Sequence, residues 1–134
     1  MTPQEEANLA LVRRFREEWP RGREKYLAPS FVAHRVGFAI LAAVTGKQFS
    51  HEAIPDRHDK IEHIIASGDW VWATWRFEGT YAAELFGVPP TGKPVSVWEM
   101  GIFRIADGKI VEGWFYADEL GFLHQAGAWL PASG

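Results

Sequence analysis

The chain of 134 residues contains no cysteine, which excludes disulfides, thiolate zinc sites and a cysteine nucleophile. It also has no basic stripe, and its formal net charge is -3, so we expect no nucleic-acid partner. The longest apolar run, residues 38–44, is far too short to cross a membrane. The first residues, MTPQEEANLALVRRF, are acidic before they are apolar, which is the wrong order for a signal peptide. We therefore expect a soluble, cytoplasmic protein.

Aromatic residues are plentiful, with seven Trp, nine Phe and three Tyr, many of them in the second half of the chain. One interpretation is a well-filled hydrophobic core, because aromatic side chains dominate core burial. The other is a pocket walled by indole rings that binds a flat or apolar ligand. Both interpretations can hold together.

The order of the predicted elements indicates a single α+β domain over residues 1–134. Residues 4–19 have the apolar spacing of an amphipathic helix, and residues 38–54 are apolar enough for a second, buried helix, interrupted at Gly46. Residues 30–36 read as extended. Four strands follow, at residues 60–66, 70–82, 95–105 and 110–117, and a short helix ends the chain at residues 118–129. Helices first and a meander of antiparallel strands afterwards predict an α+β fold, in which a curved sheet is covered by helices on one face.

The last hairpin has a register fixed by its Asp-Gly turn at residues 107–108. If Ala106 pairs with Lys109, alternation places one set of side chains on a common face: Val97, Glu99, Gly101, Phe103, Ile105, Ile110, Glu112, Trp114, Tyr116 and Asp118. A bulge would exchange the faces beyond it. Carboxylates in such an apolar, concave setting suit proton transfer. The opposite face, with Trp98, Met100, Ile102 and Phe115, is apolar and could be a core face or a dimer face. Because only two main helices are predicted to cover a long sheet, we predict a homodimer.

Four segments resemble a known family: PD at 55–56, IASGDWV at 65–71, EGTYAAELFGVPPTGKPV at 78–95 and FRIADGKIVEGWFYADELGFLHQAG at 103–127. Together they are similar to the SnoaL-like polyketide cyclase (ester cyclase) family, and the resemblance covers nearly the whole chain. It implies the nuclear transport factor 2-like fold, a cone with one deep pocket.

The resemblance also implies chemistry and site residues. Cyclases of this family close a polyketide ring by an intramolecular aldol step, with an Asp of the last strand as the acid/base. Asp118 matches the common W-D pattern, while another alignment places that Asp at Phe115. The neighbouring-strand His and Gln of these cyclases fall at Gly101 and Glu99. A His in the pocket is frequent in the family at the place of His34.

Candidate catalytic residues are thus Asp118, Glu99 and His34, and candidate substrate-binding residues are Trp75, Phe103, Trp114 and Tyr116. Asp118 is equally a helix N-cap, because it precedes ELGFLHQ and Asp is a favoured cap. Glu99 could also be a partner for Arg104 or a charge at the rim, and His34 could be an ordinary hydrogen-bonded core or surface histidine. Three other histidines, at positions 51, 58 and 63, lack helical metal-ligand spacing, so we expect no metal and no cofactor.

Two functions remain open from the sequence alone. The first is an enzyme that uses acid/base chemistry without a cofactor on a hydrophobic, carbonyl-bearing small molecule such as a polyketide, by cyclisation, isomerisation, dehydration or hydrolysis. The second is a non-catalytic module of the same fold that binds a small ligand. A cavity that reaches the carboxylates favours the enzyme, whereas a cone plugged by indole rings favours the module.

Overall fold

A computed structural model describes residues 1–19 and 21–128 of the chain. Its helices are α1 (Pro3–Glu17), α2 (Ala39–Thr45) and α3 (Glu119–Gln125), with short 3-10 turns at Arg23–Lys25 and His51–Ala53. Its strands are β1 (Leu27–Arg35), β2 (His58–Ser67), β3 (Trp70–Thr80), β4 (Pro94–Ala106) and β5 (Lys109–Ala117). The predicted α+β class and the extended segment at 30–36 are confirmed.

The five strands form one sheet in the order β1-β5-β4-β3-β2. Strands β2 to β5 make the predicted antiparallel meander. In addition, β1 pairs parallel to β5, which makes the curved sheet mixed. Parallel pairing requires a long crossover, and here the rest of the sheet and α2 provide it.

Helix α1 begins with a complete capping box, in which Thr2 accepts from the backbone of Glu5 and the Glu5 side chain reaches back to Thr2. Its buried face carries the predicted Val12 and Phe15, and the chain continues to the buried Trp19. Two polar residues of the same helix, Asn8 and Arg16, are buried as well.

The prediction of a second buried helix over residues 38–54 is wrong. Helix α2 ends where Gly46 adopts a left-handed conformation with φ of 70°. Its Ile40 and Val44, which lie one turn apart on the helix, are 70% and 79% exposed. Helix α2 therefore lies over the edge of the core, whereas Phe38, Ala53 and Ile54 at the two ends of the segment are buried in it.

The inner face of the sheet is set by alternation along β3, where Val71, Ala73, Trp75 and Phe77 are buried as predicted. At Gly101 on β4, an added Cβ would lie 2.7 Å from the Trp75 ring and 2.5 Å from the Phe103 ring. A side chain at Gly101 would thus collide with the two rings, which occupy the space that this glycine leaves free.

A bulge in β5 corrects the predicted register of the last hairpin. Ile105 pairs with Ile110 as predicted, but Arg104 pairs with Glu112, so Val111 is an extra residue. Phe103 consequently faces Gly113 and not Glu112. Beyond the bulge every β5 side chain changes face, which turns Trp114 and Tyr116 outward and Phe115 and Ala117 inward.

Helix α3 covers the open end of the sheet through Phe122, which is fully buried against Tyr81 and Phe38. The last residue of the predicted helix, position 129, lies outside the described residues. Within residues 1–19 and 21–128, no helix has both the length and the apolar character needed to cross a membrane.

Candidate active site

A cavity of about 280 Å³ lies between the inner face of the sheet, the end of α1 and the segment that follows β1. Its aromatic lining consists of Trp19, Phe38, Phe49 and Phe115, together with Tyr116 at the border. The polar lining consists of Arg16, Arg35, Gln48, His51, Arg57 and Glu99. The predicted pocket thus has an apolar wall and a strongly charged side.

The charged side is built on a buried ion-pair network around Asp59. The guanidinium of Arg16 makes a short contact with Oδ2 of Asp59, and Nε of Arg57 lies 3.1 Å from Oδ1. The side chains of Arg16 and Asp59 are 2% and 0% exposed. Burial lowers the pKa of Arg16, and the negative charges of Asp59 and Glu99 partly offset that effect.

Aromatic rings complete the surroundings of Arg16. Its guanidinium carbon lies 4.1 Å from the Trp75 ring centre and 4.7 Å from that of Trp19. Such cation–π contacts favour a desolvated guanidinium. The network therefore fixes the end of α1 against β2 and β3 directly beside the cavity.

The acidic residue that lines the cavity is Glu99, and the two oxygens of its carboxylate have different surroundings. Oε1 accepts hydrogen bonds of 2.9 Å from Arg57 and of 2.9 Å from Nε1 of Trp75, and it lies 4.0 Å from Arg16. Oε2 has no hydrogen-bond partner among residues 1–19 and 21–128. Since the side chain is 15% exposed and lines the cavity, one oxygen is fixed by donors while the other is open to a ligand.

His51 also lines the cavity, in edge contact with Trp19 and Phe49 at ring-centre distances of 5.8 and 5.7 Å. Burial lowers the pKa of His51, and the nearby positive charges of Arg57, Arg23 and Arg35 lower it further. The neutral imidazole is therefore favoured in the cavity.

Four of the seven predicted site residues lie at the cavity or directly behind it. Glu99 and Tyr116 border the cavity, whereas Trp75 and Phe103 are fully buried in the core behind it. Trp75 still contacts the site through its hydrogen bond to Glu99. The functional roles assigned to these residues stay predictions.

His34 and Trp114 lie together on the outer face of the sheet. The bulge in β5 turns Trp114 outward, and His34 is its direct partner on the neighbouring strand β1. Their rings stack at 4.6 Å, and Nε2 of His34 lies 2.7 Å from Oε2 of Glu112. The hydrogen bond from His34 is the main reason why the pKa of Glu112 lies below its ordinary value. The geometry thus does not bring His34 or Trp114 to the cavity.

Asp118 occupies the N-cap position of α3, where Oδ1 accepts a hydrogen bond of 2.9 Å from the backbone N–H of Gly121. The residue is exposed and lines a shallow groove on the outer face with Trp98, Met100 and Tyr116. The capping alternative therefore describes its observed contacts, and the cavity does not include it.

Sequence reasoning missed Arg16, Arg57, Asp59 and the cavity position of His51. One signal was present for Arg16, which stands four residues after Val12 and thus on the apolar stripe of α1. A charged residue on such a stripe indicates a buried partner. Nothing local in the sequence distinguishes Asp59 or Arg57 from solvated charges, because their pairing joins separate elements.

Among the residues the structure describes, no group of three or more His, Asp or Glu is arranged to hold a metal ion.

Comparison with known proteins agrees with this architecture. The sequence profile of the SnoaL-like polyketide cyclase family matches residues 5–126. Aklanonic acid methyl ester cyclase DnrD of Streptomyces peucetius is 33% identical over 134 residues, covering 89% of this chain and 90% of that protein. Nogalonic acid methyl ester cyclase of Streptomyces nogalater is 33% identical over 107 residues, covering 76% and 77% of the two chains.

Solved structures show the same fold. The crystal structure of AclR, a proposed hydroxylase from Streptomyces galilaeus, superposes with a TM-score of 0.79 at 25% identity, covering 96% of this chain and 90% of that one. IdmH, a proposed polyketide cyclase from Streptomyces antibioticus, gives a TM-score of 0.72 at 25% identity, with 92% and 99% covered.

A curved five-stranded sheet with helices packed against it and a cavity on its inner face defines the nuclear transport factor 2-like scaffold. The chain belongs to the SnoaL-like polyketide cyclase family and is an enzyme of the cyclase type. The family predicted from the sequence segments is thereby confirmed.

Proposed function

We propose that the protein closes a ring in a hydrophobic, carbonyl-bearing polyketide-like molecule by acid/base catalysis without a cofactor, with Glu99 as the proton-transferring group. The observation that carries the proposal is the free Oε2 of Glu99 in a cavity whose other wall is aromatic. Phe38, Phe49 and Phe115 offer apolar surface to a flat substrate.

The proton transfer begins at a carbon next to a carbonyl group. Oε2 of Glu99 takes the proton, and the resulting enolate carbon attacks a second carbonyl carbon of the same molecule. The new alkoxide oxygen then recovers a proton, so no atom is gained or lost. A carboxylate is a weak base, so the hydrogen that leaves must be acidified by two flanking carbonyl groups, as in a poly-β-ketone.

The arginines around Glu99 have a positioning and an electrostatic role in this proposal. Trp75 and Arg57 hold Oε1, which fixes the plane of the carboxylate and directs Oε2 to the ligand. Arg57 uses two of its five N–H donors, for Asp59 and Glu99. A remaining donor can stabilise the enolate oxygen in a site with little water.

The experiment is an incubation with aklanonic acid methyl ester, the compound in the name of one relative. Aldol closure conserves mass, so we expect an isomer of equal mass with a new ring by mass spectrometry and NMR. Glu99→Gln should not form it, and boiled protein is the background control. A product heavier by one oxygen atom, or no ring closure with any poly-β-ketone ester or acid, would contradict the proposal.

Two further features belong to this proposal. The first is a homodimer formed by the outer face of the sheet, where Trp98, Met100 and Tyr116 are exposed. The second is a cytoplasmic location, which cell fractionation with an antibody to the native protein would test.

A further inference from the structure

The cavity contains one positive charge that no carboxylate balances. Arg16 and Arg57 are paired with Asp59 and Glu99, so two positive and two negative charges offset one another. Arg35 also lines the cavity, yet it forms no ion pair and no side-chain hydrogen bond within residues 1–19 and 21–128. The cavity therefore has a positive excess located at Arg35.

The position of Arg35 follows from the end of β1, where the strand leaves the sheet and the chain turns at Gly37. Its guanidinium carbon lies 5.0 Å from the ring centre of Phe115, which itself lines the cavity. Partial burial lowers the pKa of Arg35, the positive charges of Arg23 and Arg57 lower it further, and the carboxylate of Glu99 only partly offsets these effects. An anion at this place would relieve the unfavourable charge.

His51 is a second sign of the same positive potential. Its pKa is lowered by Arg57, Arg23 and Arg35 in addition to burial. Arg23 pairs with the exposed Glu24 at 3.8 Å, and such a solvated carboxylate offsets little of the positive charge beside the cavity. A ligand that enters this space therefore meets positive charge as well as aromatic rings.

We propose that Arg35 binds a carboxylate group of the substrate, so that this protein binds a free aromatic or polyketide acid more tightly than the ester of the same acid. The planar fork of a guanidinium matches a carboxylate through two parallel hydrogen bonds. The rings of Phe38, Phe49 and Phe115 contact the body of the same molecule. The inference rests on the proposed function in that both use one cavity, and it distinguishes this chain from relatives whose names specify methyl esters.

The test compares a matched pair of probes by isothermal titration calorimetry: anthraquinone-2-carboxylate and its methyl ester. The wild-type protein should bind the acid about ten- to a hundredfold more tightly than the ester, the range of a charge-assisted hydrogen bond. Arg35→Gln should lose this preference while it keeps the ester affinity. Arg104→Gln, which removes a guanidinium from the outer face, should keep the preference.

Arg35→Lys serves as a second variant, because it retains the charge without the planar fork and should keep part of the preference. Added salt should weaken acid binding more than ester binding. Equal binding of acid and ester by the wild type, absence of acid binding, or an unchanged preference in Arg35→Gln would overturn the inference. None of these results affects the turnover assay with Glu99, since an ester could still lose a proton to that residue.

Discussion

Asp118 is the residue for which the sequence left two roles open, and its contacts favour one of them. Its side chain caps α3 through Gly121 and is exposed on the outer side of the sheet. The cavity instead presents Glu99. The extra residue Val111 shifts the side-chain alternation of β5 by one position. The side chains at the end of the strand therefore lie on the face opposite to the predicted one.

A cap and a catalyst respond differently to two substitutions of Asp118. Asn is about as good an N-cap as Asp, so Asp118→Asn should unfold like the wild type in urea. Asp118→Ala removes the acceptor for Gly121 and should lower the free energy of unfolding by about 1 kcal/mol. Equal stability of the Ala and Asn variants would show that the observed cap contributes nothing.

His51 predicts a pH dependence of stability. Its pKa in the folded protein is lowered, chiefly by burial, so the unfolded chain binds a proton more readily. Stability from this residue is therefore present above the unfolded pKa of about 6.5 and is lost as the pH falls through the folded value.

Urea titrations of the wild type and His51→Gln at neutral and mildly acidic pH measure this effect. The wild type should lose more stability on acidification than the variant, because Gln cannot take up a proton. Parallel losses in both proteins would mean that other groups cause the pH dependence. Neither result depends on any catalytic assignment.

Glu99 was predicted correctly as a cavity residue because the Asp-Gly turn fixes which side chains of β4 face inward. No bulge in β4 interrupts this alternation between the turn and Glu99. Trp75 was placed inward for a similar reason, since β3 alternates regularly. Trp114 was predicted on the wrong face because the sequence of β5, which mixes polar and apolar residues, contains no pattern that indicates the bulge. Local periodicity thus predicts a face only as far as the ladder stays regular.

At the scale of elements, the ion pairs around Asp59 connect α1 with the sheet. Asp59 on β2 meets Arg16 of α1 and Arg57, which immediately precedes that strand. Because all three side chains are nearly inaccessible to solvent, loss of one charge leaves others buried without a partner.

Asp59→Ala should therefore lower the free energy of unfolding by about 3–5 kcal/mol, the range for breaking a buried pair. Glu17→Ala is the control, because it removes an exposed ion pair with Arg13 in the same helix and should cost less than about 1 kcal/mol. Urea unfolding followed by circular dichroism measures both. Similar losses in the two variants would contradict the structural role given to the network.

Segment 38–54 illustrates why some elements could not be predicted. Its composition is apolar enough for a buried helix, but burial depends on the space left by the sheet and α1. Ile40 and Val44 point away from that space. The parallel pairing of β1 with β5 is similar, since no local signal in either strand specifies a partner that far along the chain.

At the scale of the whole molecule, the outer face of the sheet predicts a homodimer. Trp98, Met100 and Tyr116 are 44%, 37% and 36% exposed and lie side by side on β4 and β5. Phe115, which the sequence analysis placed with them, belongs to the cavity instead. Two-fold association of two such faces would remove the apolar side chains from water.

Sedimentation velocity at micromolar concentration should give the mass of a dimer, and Met100→Glu should shift it to the monomer because it buries a charge between the uncharged Thr74 and Tyr116. Ile65→Glu, also on an exposed position of the sheet but away from β4 and β5, is the matched control and should remain dimeric. A wild-type monomer under these conditions would remove the outer face as an interface.

The central claim is that Glu99, and not Asp118, transfers the proton, and a comparison of kcat/KM in two variants tests it most directly. Both Glu99→Gln and Asp118→Asn replace a carboxylate by an amide of the same shape, and circular dichroism confirms that each is folded. On one poly-β-ketone substrate, Glu99→Gln should lose about a hundredfold or more while Asp118→Asn stays within about twofold of wild type. Full activity in Glu99→Gln together with a large loss in Asp118→Asn would contradict the account.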